Sequence, residues 1–118
     1  MAATLILFVS VIAVLVTGGL VAMTIRDPVS GLRRLGHLPE RLPEVMVGRY
    51  IAFFVLAIGA AIYGDPVVLS GLFVGFAVAS AADTFIYARK GQKFAPHLVA
   101  GIASLVGAGL CLIAAGAN

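Results

Sequence analysis

Four long apolar runs, at 3–25, 45–64, 66–87 and 96–115, dominate this sequence. The first and fourth carry no charged residue, the second carries only Arg49 and the third only Asp83. A helix needs about 20 such residues to cross a hydrocarbon core of about 30 Å. Strands of a membrane barrel need only about 10 and alternate in polarity, which these continuous runs do not. Composition agrees: 62% of the 118 residues are hydrophobic and 11% charged, against roughly 25% charged in an ordinary soluble domain. A water-soluble chain of this size cannot hide so much apolar surface. A disordered chain, a coiled coil and a typical cytosolic enzyme are therefore excluded, and the lone Cys111 excludes a disulfide scaffold.

The expected fold is all-α, an integral membrane four-helix bundle with antiparallel neighbouring transmembrane helices, forming a single transmembrane domain over 1–118. The first run reads as a retained helix rather than a signal peptide, because it lacks a basic leader, is too long and has no small-x-small cleavage site. Between the first two spans, Pro28, Pro39 and Pro43 punctuate a polar connection. Its segment Val29–Leu38 alternates leucine with basic residues and suits either a short interfacial amphipathic helix or a plain loop. Gly64-Asp65-Pro66 signals a tight turn, and Pro96 stands where a helix tolerates proline best.

All eight basic residues fall on one side of this arrangement. Arg26, Arg33, Arg34 and Arg41 lie in the first connection with Arg49 just beyond it, and Arg89, Lys90 and Lys93 lie in the third. The positive-inside rule then places loops one and three in the cytoplasm and both termini outside, in a bacterial inner (plasma) membrane. Basic loops at anionic headgroups account for the net charge of +3. No nucleic-acid motif accompanies them, so membrane lipids are the expected partners rather than nucleic acid.

Small residues recur every four positions: Gly71, Gly75 and Ala79, continuing to Asp83, in the third span, and Ala100, Ser104 and Ala108 in the fourth. Such faces let helices approach closely, within the bundle or in a homo-oligomer or larger membrane complex.

Charges within spans are costly and face a partner or a wet cavity. Arg49 sits about one turn into the second span and Asp83 about one turn from the end of the third, so antiparallel helices would bring them to similar depth as a pair. Glu44, Tyr87 and His97 belong to the same end, with Ser80 and Thr84 beside Asp83 and His37 in the first connection. Arg49, Asp83, His97, Glu44 and Tyr87 are therefore the candidate catalytic residues, an acid–base set able to act on an amphipathic substrate. Structural alternatives are an ion pair pinning two helices, Arg49 snorkelling to headgroups, and Glu44 favouring a helix N-terminus. The irregular spacing of these residues is not a metal signature. No phosphate loop, redox pair or nucleophile elbow is present, and no cofactor is indicated.

The stretch VGRYIAFFVLAIGAAIYGDPVVLSGLFVGFAVASAADTFIYARKG, followed by PHLVAGIASLVGAGL, resembles a family of small four-helix membrane proteins known as domain of unknown function 4267, in the DoxX-like neighbourhood. Gly48-Arg49, Asp83, Arg89–Gly91 and His97 carry the resemblance, which covers the chain from about Pro28. It implies the four-helix fold and no particular substrate. Where such families carry an Arg-Asp pair at the second span, Arg49 is followed here by Tyr50.

Three functions compete. The tiny extramembrane mass and the small-residue faces favour an accessory or structural subunit of a larger membrane complex. The polar cluster favours a small membrane enzyme, an isomerase, hydratase or hydrolase of a lipophilic small molecule. A small-molecule transporter of four helices would resemble a pattern with a glutamate in the middle of its first helix, and here that helix has no acid.

Overall fold

The computed structural model describes residues 2–117, without the side chains at 2, 3, 5–7, 10 and 14. Its described elements are all helical: α1 (Ala2–Thr24), α2 (Pro28–Arg34), a 3₁₀ turn (Pro39–Arg41), α3 (Leu42–Tyr63), α4 (Pro66–Arg89) and α5 (Ala95–Gly116). Three segments, Pro39–Tyr63, Pro66–Arg89 and Ala95–Gly116, are long and apolar enough to cross a membrane, the character of a multi-pass membrane protein. The chain divides into two compact units, Met1–Arg49 and Tyr50–Asn118.

In the first unit the polar connection is not a plain loop. Asp27 caps α2 by accepting from the Ser30 amide at 3.1 Å, and Pro28 opens the helix. Gly36, at φ +82°, closes it, with the His37 amide donating to the Leu32 carbonyl and the Gly36 amide to Arg33. The helix packs closely on the end of α1 at Gly31, which is buried: a Cβ there would overlap the Met23 carbonyl oxygen and lie 2.8 Å from Thr24 Cα. Only glycine allows this approach.

In the second unit, Asp65 caps α4, accepting from the Val67 and Val68 amides at 2.7 and 3.1 Å, and Pro66 starts the helix. At the other end the Gln92 amide donates to the Tyr87 carbonyl and the Gly91 amide to Ala88, with Gly91 at φ +64°. This six-to-one closure ends α4 and turns the chain back.

Helices α4 and α5 form an antiparallel hairpin. Contacts step in opposite directions along them: Asp83 meets His97, Ser80 meets Gly101, Phe73 meets Gly107, and Ser70 meets Ala108. Ser70, Phe73, Ala77, Ser80 and Thr84 on α4, and His97, Gly101, Ser104, Ala108 and Cys111 on α5, are all buried or half-buried. Both rows alternate steps of three and four, the spacing of shallow-angle helix packing. The row on α4 differs from the four-residue repeat: Gly71 and Gly75 are exposed. Steps of four overshoot a 3.6-residue turn and drift round the helix, whereas a mean step of 3.5 stays with the partner. Against α3, Phe53 packs on Phe76 with ring centroids 5.2 Å apart.

Four hydroxyls within these helices are satisfied locally. Thr17, Thr24, Thr84 and Ser104 donate to the carbonyls four residues earlier at 2.7–2.9 Å, the arrangement that suits a solvent without water. Ser70 donates across the hairpin to Ala108 at 3.2 Å, buried.

Candidate functional site

The α4–α5 turn brings three candidate residues together. Gly91 reverses the chain so that the last two turns of α4 face the first turn of α5. His97 Nδ1 lies 3.7 Å from Asp83 Oδ2, with side chains 31% and 24% exposed respectively. That is ion-pair range, longer than a direct hydrogen bond. The imidazole also stacks on the Tyr87 ring, with centroids 4.9 Å apart and planes 9° from parallel. Asp83 and Tyr87 are one helical turn apart on α4, so they hold the imidazole by its edge and its face at once.

Chemically this is a carboxylate beside an imidazole whose second nitrogen, Nε2, lies on the ring edge away from Asp83. Such a set can hold a proton at Nδ1 and exchange one at Nε2. The neighbouring hydroxyl of Thr84 is directed elsewhere, to the Ser80 carbonyl at 2.7 Å.

Arg49 and Glu44 belong to the first unit, and Asp83, Tyr87 and His97 to the second. Glu44, in the first turn of α3, pairs with Arg41 at 3.0 Å, both side chains about two-thirds exposed, a contact of little energetic weight. Half-buried Arg49 directs its guanidinium to Met46 Sδ at 3.9 Å. His37 is half-buried where α2 ends. Among the described residues no three histidine, cysteine or acidic side chains converge as metal ligands would.

Two features beyond the sequence-derived set lie on the same hairpin. An apolar groove of about 390 Å³ runs along it between Ala77 and Ala88 on α4 and Leu98 and Leu105 on α5. Beside it, a hollow of about 270 Å³ is lined by Phe85, Ile86, Arg89 and Lys90. Arg89 carries its guanidinium over the Phe85 ring, 5.2 Å from the centroid, a cation–π geometry. The sequence signal for both is an aromatic one turn before a basic pair at the end of a span.

No protein-family profile, curated protein or solved structure matches the chain.

Proposed function

We propose that this protein is an accessory or structural subunit of a larger membrane assembly. On this reading α1 is a fourth crossing, the two basic connections face the cytoplasm, and both ends face outward across a bacterial inner membrane. Kinship with domain of unknown function 4267 belongs to the same proposal and rests on Gly48-Arg49, Asp83, Arg89–Gly91 and His97. The observation that carries the proposal is how little the chain covers itself: only 6%, 11% and 6% of the most apolar stretches of the three spans are buried. Among the described side chains only Ala60, Ser70, Ala77 and Ala108 are buried. Lipid tails cover exposed valine and leucine well, but an exposed glycine face is where another helix comes closest. Gly71 and Gly75 offer that face, with no atom within 4 Å of a Cβ built on either.

The test is extraction of the tagged chain, expressed at its native level, in a mild detergent. A membrane protein recovered in fixed stoichiometry supports the reading. Gly71→Leu with Gly75→Leu should then abolish that recovery while leaving helicity and elution of the isolated chain unchanged, since both positions are open. A chain recovered only by itself overturns the proposal.

A second reading, a small membrane enzyme acting on a lipophilic molecule, is favoured by the Asp83–His97 contact under the Tyr87 ring. There His97 would move the proton and Asp83 would hold its orientation. A lipophilic compound released from the purified chain on denaturation, and lost in His97→Gln, would favour this reading over the first.

A further inference from the structure

The groove on the α4–α5 hairpin has the length, lining and charge of a lipid site. From Ala77 to Ala88 it follows α4 for eleven residue steps, about 16 Å at 1.5 Å per residue. One leaflet of a hydrocarbon core of about 30 Å has nearly that depth. Its floor is opened by small residues, with Ala77 and Gly101 both buried. The one hydroxyl on its wall, Thr84, donates to its own helix, so the lining offers an acyl chain no competing polar group.

At the helix end the character changes within one turn. Phe85 lines both the groove and the neighbouring hollow, where Arg89 and Lys90 complete the wall. Arg89 is held over Phe85 at the mouth of the groove. Among the described residues Arg89, Lys90 and Lys93 take part in no ion pair. Asp83, the one acid between Pro66 and Asn118, faces His97. An apolar slot one leaflet deep, ending at an unneutralised basic pair, complements a molecule with a long hydrocarbon tail and an anionic head.

We propose that the hairpin binds one anionic phospholipid, its acyl chain along Ala77–Ala88 and its phosphate at Arg89 and Lys90. This site is independent of whether the chain joins a larger assembly.

Native mass spectrometry of the full chain in detergent, with phosphatidylglycerol or phosphatidylcholine of the same tails added at equal concentration, tests it. The unaltered chain should retain phosphatidylglycerol roughly thirtyfold better, the order expected of two cations beside an anionic headgroup. Arg89→Gln with Lys90→Gln should bring the two lipids to parity. Arg26→Gln with Arg41→Gln, which removes as much charge elsewhere, should leave the preference intact. Ala81→Phe, which fills the groove, should lower retention of both lipids several-fold; if its circular dichroism shows misfolding, Ile102→Trp narrows the same groove from α5. Equal retention of the two lipids by the unaltered chain would overturn the proposal. So would a preference that survives the Arg89/Lys90 change, one lost equally with Arg26/Arg41, or retention unmoved in the folded groove variant.

Discussion

The contact of α2 with α1 and the contact of α4 with α5 are two ways of bringing helices close. The first centres on Gly31, which meets the backbone at Met23 and Thr24. The second is spread over five positions on each helix, four of them small on either side. Against helical backbone nothing can yield, because a carbonyl in a helix cannot rotate away. Along the distributed contact Gly101 and Gly107 meet the side chains of Ser80 and Phe73, and the load of any one change is shared. The difference teaches that a glycine's importance depends less on its burial than on whether its neighbour is backbone or side chain.

Gly31→Ala should have the largest effect. Helix propensity favours alanine by about 1 kcal/mol, but overlap with fixed backbone costs more, and we expect a net loss of about 3 kcal/mol in the docking of α2. Hydrogen exchange at the Gly31 and Leu35 amides, both bonded within α2, should accelerate about a hundredfold. Unchanged exchange would dissolve the distinction between the two contacts.

Gly107→Leu should destabilise the hairpin by about 2 kcal/mol, read from reversible unfolding in mixed detergent. A Cβ there already lies 3.1 Å from the Phe73 ring, and the ring must move. Ser70→Ala should cost about 0.6 kcal/mol, the usual worth of a hydrogen bond between membrane helices. Gly101→Ala should be the mildest and of opposite sign, stabilising by about 0.5 kcal/mol. Its Cβ would meet Ser80 Cβ at 3.4 Å, an ordinary contact. If Gly101→Ala were instead as harmful as Gly107→Leu, the hairpin would be as unforgiving as the α1–α2 contact.

Element positions were legible because punctuation and hydropathy coincide. The expected spans at 45–64, 66–87 and 96–115 correspond to α3, α4 and α5 within three residues at each end. The outcome for 28–34 was open, since its proline and glycines read equally as loop formers. They act as caps, Pro28 entering behind Asp27 and Gly36 leaving. Helix faces were harder. Helix α4 is apolar almost evenly round its circumference, so no polar side marks the opposite of a packing face. The repeat of small residues then drew attention to Gly71 and Gly75, which the hairpin leaves exposed. In the site, Asp83, Tyr87 and His97 share one end of the sequence pattern and meet in the structure, because register across a short turn follows from counting outward from Gly91.

The bond from Ser70 to Ala108 also bears on the order in which the protein is made. Its partners are 38 residues apart, which at 5–20 residues per second is about 2–8 s of synthesis. Thr84 bonds within its own helix and is satisfied as soon as that helix forms. Ser70 can make its cross-helix bond only once α5 has been synthesised. In α4 alone the Ser70 hydroxyl can turn back to a carbonyl of its own helix, as Thr84 does. Ser70 therefore exchanges a bond within its own helix for one across the hairpin when the two helices pair.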